Sequence, residues 1–213
     1  MLFLNTNALR NKIFILLILI PLSLISDQLQ AKETKLLILG DSLSAAYGLK
    51  QEQGWVSLLQ NAWQSDDVII INAAISGETT DGALARLPRL LEQHSPTHIF
   101  VELGGNDGLQ GHPVSKMRDN LEKIILFSQK SEVTVILQQM QIPTNYGKRY
   151  TRMFTNTYSD LAIKYELKLL SFFLQNIALD KSLMQRDGIH PNAKAQLIIA
   201  KDMQKTLGDI IFP

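Results

Sequence analysis

The chain has 213 residues, of which 46% are hydrophobic and 19% charged, an ordinary globular composition. Its formal net charge of +1 excludes a strong global field for nucleic acid or an anionic membrane. The absence of cysteine excludes disulfides, thiolate metal sites, a thiol nucleophile and a lipid anchor on cysteine.

The N-terminus opens with "MLFLNTNALRNK", which carries Arg10 and Lys12 and no acid. The apolar run "IFILLILIPLSLI" follows, and then the polar "SDQLQA", ending on Ala31. This is the order of a secretory signal peptide. A membrane span would need about 20 apolar residues. Residues 1–31 are therefore expected to be a signal peptide and 32–213 a single domain. About 180 residues suffice for one domain that buries roughly 70% of its unfolded-chain surface.

"KLLILG" (Lys35 to Gly40) reads as a strand buried on both faces. "GWVSLLQNAWQSDD" has Trp55, Leu58, Leu59, Ala62 and Trp63 at helical spacing. "VIIINAAISG" (Val68 to Gly77) is a second buried strand. A helix with Ala83, Leu84, Leu87, Leu90 and Leu91 on one face follows, with Thr80 or Asp81 as N-cap and Pro88 as a kink. "HIFVELGGND" is a third strand ending in glycines, and "PVSKMRDNLEKIILFSQKS" an amphipathic helix. "VTVILQQM" is a fourth strand, "YTRMFTNTYSDLAIKYE" a helix and "LKLLSFF" a short fifth strand. "PNAKAQLIIAKDMQKTLG" reads as a last helix with Pro191 in its first turn and Gly208 at its end. Alternation of this kind predicts an α/β fold with a parallel sheet of about five strands and helices on both faces.

In such sheets ligands bind beyond the carboxyl ends of the strands. The loops there read "GDSLS", "AISGET", "GGNDG" and "RDGIHPN". They supply Ser42 and Ser44, Gly77, Asn106 between turn-prone neighbours, and Asp187 three residues before His190. Acyl transfer by serine needs a hydroxyl, a base able to work near neutral pH, a carboxylate to fix the base's tautomer, and donors for an oxyanion. The loops contain all of these. Each alone has a plainer explanation: a strand-ending turn, a turn signal, a helix-capping Asp-x-x-His. His94 and His98 lie at element ends, and His112 is a minor rival base.

Taken in order, the blocks "GDSLS", "NAAISGET", "GGND" and "DGIHPN" resemble the SGNH hydrolases, also called the GDSL family, from about Lys35 to the last helix. The resemblance implies a flavodoxin-like three-layer α/β/α sandwich. It implies Ser42 as nucleophile, His190 as base and Asp187 as its orienting acid. The implied oxyanion hole is the Ser42 N–H, the Gly77 N–H and the Asn106 side chain. "VELGGNDGLQG" and "QIPTNYGKRY" are similar to a subgroup of periplasmic esterases with acyl thioesterase, lysophospholipase and arylesterase activities. Ala46 stands where many relatives carry glycine, which is expected to alter the loop after the nucleophile.

The expected reaction is hydrolysis of acyl esters or thioesters through an acyl-enzyme on Ser42. No cofactor or metal is expected, nor is a nucleic-acid partner or lasting membrane insertion. A periplasmic or secreted monomer is expected. Gly105 to Pro113 is read as a movable, glycine-rich loop whose Gly108 and Leu109 contact substrate. The alternatives are a carbohydrate O-acetylesterase and a non-catalytic lipid or glycan binder on the same fold. A two-metal phosphoesterase would need more ligands than His190 and His112 supply. An α/β-hydrolase would place its serine in Gly-x-Ser-x-Gly, which does not occur.

Overall fold

A computed structural model describes residues 33–64 and 68–212. The signal-peptide reading of residues 1–31 lies outside the described residues. The sheet has five parallel strands in the order β2-β1-β3-β4-β5. The strands are β1 (Thr34–Gly40), β2 (Val68–Asn72), β3 (His98–Glu102), β4 (Thr134–Gln138) and β5 (Lys168–Leu170). The helices are α1 (Trp55–Ala62), α2 (Thr80–His94), α3 (Gly105–Leu109), α4 (Val114–Lys130), α5 (Lys148–Lys164) and α6 (Ala193–Ile211). α1 packs with α6, and α4 packs with both α2 and α5. No helix among the described residues is long and apolar enough to cross a membrane.

The predicted α/β architecture is present, and its apolar runs form the core. Leu36 to Leu39 of β1, Ile99 to Val101 of β3 and Ile136 and Leu137 of β4 are buried or nearly so. β2 departs from the expectation of burial on both faces. It is an edge strand, and its Ile69 is 41% exposed. Its apolar run carries no mark of its place in the sheet.

Helix ends differ from expectation for local reasons. α2 starts after Thr79, whose side chain makes no capping bond. The carboxylate of Asp107, from α3, instead accepts from the Thr80 N–H at 2.9 Å and the Thr80 hydroxyl at 2.6 Å. α2 continues through Pro88 as one helix. α6 is capped by Asn192, whose Oδ1 accepts from the Lys194 and Ala195 N–H groups, so Pro191 lies before the helix rather than in its first turn. α6 passes Gly208 and ends at Ile211.

One register position reaches into the site. Gly40, the last residue of β1, lies opposite Glu102, the last of β3. Glu102 is fully buried, and its Oε2 accepts from the Asp41 N–H at 3.2 Å and the Ser44 hydroxyl at 2.8 Å. A Cβ on Gly40 would lie 2.7 Å from that oxygen, so glycine is required by close approach. Burial first, and the adjacent Asp41 carboxyl second, push the Glu102 carboxyl well above the usual range, so it is neutral where exposed glutamates are ionised.

Because this raised value lies above the unfolded one of about 4.3, Glu102 favours folding most at low pH and loses that contribution as pH rises through its folded midpoint. Glu102→Gln keeps an acceptor for Asp41 and Ser44 and cannot ionise. In urea unfolding, wild-type stability should fall relative to Glu102→Gln as pH rises above the ordinary glutamate range. Parallel pH profiles for the two proteins would rule out a neutral buried Glu102.

Candidate active site

β1 ends at Gly40, and the chain turns at once, with the Ala45 N–H returning to the Asp41 C=O at 3.0 Å. The buried Asp41 carboxylate braces this turn. Its Oδ1 accepts from the Leu43 N–H at 3.0 Å, and its Oδ2 from the Asn106 amide at 3.1 Å. Burial raises the Asp41 carboxyl above its usual range, while the Leu43 N–H is the strongest influence holding it down. The turn leaves the Ser42 hydroxyl free to face the loop before α6.

That loop brings His190. Its Nε2 is 2.9 Å from Ser42 Oγ, and its Nδ1 is 2.7 Å from Asp187 Oδ2. Asp187 Oδ1 also accepts from the Ile189 and His190 N–H groups, so one carboxylate shapes the loop and orients the ring. Burial raises the Asp187 carboxyl, but hydrogen bonds from the His190 N–H, the His190 ring and the Ile189 N–H outweigh it and bring it to about 2. Asp187 is thus ionised throughout the neutral and mildly acidic range. With Nδ1–H donated to Asp187, Nε2 is the nitrogen that can accept the serine proton. The sequence-predicted Ser42, His190 and Asp187 are brought together in a line of hydrogen bonds. Ser44, the other serine of the block, is buried and bonded to Glu102.

The loop after β2 contributes Gly77, with φ of +81° in a turn closed by the Glu78 N–H on the Ile75 C=O at 3.0 Å. That φ favours glycine, and nothing lies within 4 Å of where a Cβ would stand. Among the described residues, the Ser42 and Gly77 N–H groups have no hydrogen-bond acceptor. The Asn106 amide donates to the Glu78 C=O at 2.9 Å as well as to Asp41. The adjacent Asp107 holds the start of α2, so successive residues of α3 hold the Gly77 loop at Glu78 and the helix that follows it at Thr80.

The segment Gly105 to Pro113 differs from the expected movable loop. Gly105–Leu109 is a short helix, entered through Gly104 at φ +104°. It is tied by Asp107 to Thr80 and by the Tyr146 hydroxyl to the Leu109 C=O at 2.8 Å, while the Tyr150 hydroxyl holds the His112 C=O at 2.8 Å. Leu109 lines the cavity beside Ser42. Gly108 does not: it is buried, and a Cβ there would meet Ile142 and Phe154 at 2.7 and 2.8 Å. It serves close packing rather than substrate contact. His112 does not line the cavity either. Ala46 takes the left-handed conformation at φ +56°, and Gly54 leaves room for its methyl group. The turn after Ser42 is thus formed with an alanine in a left-handed conformation, at a cost of about 1 kcal/mol.

The cavity at Ser42 has a volume of about 380 Å³, ordinary for a small-molecule site. Beyond the polar mouth its walls are Leu109, Met140, Ile142, Phe172, Leu174 and Met184. Among the described residues, no group of three or more His, Asp or Glu is disposed to hold a metal ion. Sequence reasoning missed Asp41, Glu102 and Asp107 as braces. Their only mark is an acid placed where a strand meets a glycine-rich turn.

The profile of the GDSL-like Lipase/Acylhydrolase family matches residues 38–198. The chain is 44% identical over 194 residues to an arylesterase from Vibrio mimicus, covering 90% of this chain and 96% of that protein. It is 44% identical over 176 residues to thioesterase 1/protease 1/lysophospholipase L1 of Escherichia coli strain K12, covering 83% of this chain and 84% of that protein. The crystal structure of the psychrotrophic esterase EstA from Pseudoalteromonas sp., inhibited by monoethylphosphonate, superposes with a TM-score of 0.82 at 47% identity and covers 84% of this chain and 100% of that one. The match takes in Ser42, Gly77, Asn106, Asp187 and His190 alike, and the chain belongs to the GDSL-like lipase/acylhydrolase family.

Proposed function

We propose that the protein is a serine esterase that cleaves acyl esters and thioesters through an acyl-enzyme on Ser42. The observation that carries this reading is the Ser42–His190–Asp187 line opening onto an apolar cavity. His190 Nε2 takes the Ser42 proton as Oγ attacks the acyl carbonyl carbon. Asp187 holds the ring's tautomer and offsets the imidazolium charge. The oxyanion receives the Ser42 and Gly77 N–H groups and one of the two Asn106 amide hydrogens, which otherwise go to Asp41 and Glu78. The imidazolium then protonates the departing alcohol or thiol. A water, deprotonated by the same ring, attacks the acyl-enzyme and releases the acid and the free Ser42 hydroxyl.

The apolar walls favour a hydrocarbon acyl group over acetyl, which makes a carbohydrate O-acetylesterase the weaker reading. The N-terminal pattern supports cleavage after Ala31 and a mature enzyme in the periplasm or outside the cell. We read that enzyme as a monomer acting on small acyl esters.

Ser42→Ala should abolish turnover of 4-nitrophenyl esters and labelling by a fluorophosphonate, whereas Ser44→Ala keeps the label. Labelling of Ser42→Ala would sink the assignment. Asn106→Ala should lower kcat by about 10²–10³ with little change in KM. A rise in KM at constant kcat would make Asn106 a substrate-positioning residue. Each buried methylene contributes about 0.8 kcal/mol, so kcat/KM should rise at least tenfold from acetyl to medium-chain esters. Leu109→Asp should narrow that gap while leaving acetyl turnover nearly intact. An unchanged chain-length profile would remove Leu109 from the acyl site.

A further inference from the structure

The imidazole of His190 has a third neighbour besides Ser42 and Asp187. The ring of Tyr47 lies against its face, with centroids 4.2 Å apart and planes tilted by 34°. Tyr47 is 47% exposed, while the His190 side chain it covers is only 15% exposed. The contact that Tyr47 makes with His190 is through its ring face. Tyr47 does not line the acyl cavity, so its effect on catalysis passes through His190.

The backbone holds Tyr47 in this place. Its N–H donates to the Ser42 C=O at 3.3 Å. Gln185 Nε2 donates to the Tyr47 C=O at 2.8 Å and to the Pro191 C=O at 3.1 Å, while the Gln185 N–H donates to the His190 C=O at 2.8 Å. One glutamine thus staples the turn after the nucleophile to the loop of the base. The positive φ of Ala46 and Gly48 on either side sets the turn that presents the ring.

We propose that Tyr47 is a positioning residue for the reaction, covering the open face of His190 and stabilising the imidazolium that forms as Ser42 attacks. The inference rests on the assignment of Ser42 and His190 above. An aromatic face attracts a cation within about 6 Å of its centroid, and the observed stacking lies inside that range. The same face keeps water off the ring and limits its rotation away from Ser42. The other charged groups facing the imidazole are Asp187, on Nδ1, and the buried Asp41 carboxyl. Neither touches the face that Tyr47 covers.

The test is the pH profile of kcat/KM on a 4-nitrophenyl ester for wild type, Tyr47→Phe, Tyr47→Leu and Tyr47→Ala. Leucine keeps bulk and lacks the π face. Tyr47→Leu should lose about three- to tenfold in kcat/KM. Its acid limb should move to lower pH, because a less stabilised imidazolium gives up its proton more readily. Tyr47→Ala should show the same pair of changes, and Tyr47→Phe should restore both. The half-exposed position should leave melting temperature nearly unchanged in all three. Loss of activity with an unmoved acid limb overturns the proposal, because Tyr47 would then touch substrate only. So does a Tyr47→Leu variant equal to wild type, or a Tyr47→Phe variant as impaired as Tyr47→Leu. Failure of the underlying assignment looks different: Ser42→Ala would retain turnover whatever the Tyr47 variants do.

Discussion

The hydrogen bonds that Glu102 Oε2 accepts from the Asp41 N–H and the Ser44 hydroxyl tie the end of β3 to the turn carrying Ser42. Both partners are buried, where an unmade hydrogen bond is costly and a made one is strong. The letters of "GDS" then acquire separate reasons. Gly40 clears the Glu102 carboxyl, Asp41 braces the Leu43 N–H and the Asn106 amide, and Ser42 alone is left for chemistry. A substituent at Gly40 would push on Glu102, then on Asp41, then on Asn106. Ser42 and the amide proposed to meet the oxyanion are therefore set by one connected group of buried polar atoms, not by two independent loops.

Such a group can exist only where β1 and β3 lie side by side. In the order β2-β1-β3-β4-β5 the chain leaves β1 in one direction and returns on its other side, so the loops after β1 and β3 diverge at this boundary. Ser42 and Asn106 stand on the two sides of it. The Gly77 loop is brought in from β2 and held by Asn106 and Asp107, while His190 arrives on the segment before α6, held by Asp187, Gln185 and Asn192. Each group proposed to act on substrate is held by neighbouring residues, and Asn106 both acts and holds.

This division explains what the sequence disclosed. The strands were legible because their apolar runs are buried, and Ser42, Asn106, Asp187 and His190 because each is a reactive or polar side chain at a strand end or before a helix. The bracing residues were not legible. Glu102 reads as a lone acid in "FVELGG", and only the register of β1 against β3 puts it beneath Ser44. Asp107 looks like a turn residue, yet it supplies a cap that local sequence assigned to Thr80 or Asp81. Gly108 looked like a source of movement, but its missing side chain lets α3 pack on Ile142 and Phe154, both remote in sequence. Tyr47, an isolated aromatic in a loop, carries no periodic signal at all.

The apolar part of the cavity lies on one side of the Ser42–His190–Asp187 line for the same topological reason. Its apolar walls come from Met140 and Ile142 after β4, Phe172 and Leu174 after β5, Leu109 of α3 and Met184. These segments follow the strands on the far side of β3 from β2, whereas the Gly77 loop follows β2. A substrate carbonyl placed over the Ser42 and Gly77 N–H groups therefore has one apolar direction for its hydrocarbon chain. Leu109 belongs to both regions, because α3 joins them: its first turn carries Asn106 and Asp107, and its last residue forms part of the acyl wall. Because Asp107 and the Tyr146 hydroxyl hold both ends of that helix, Leu109 meets the cavity as part of a tethered helix and not as the tip of a free loop.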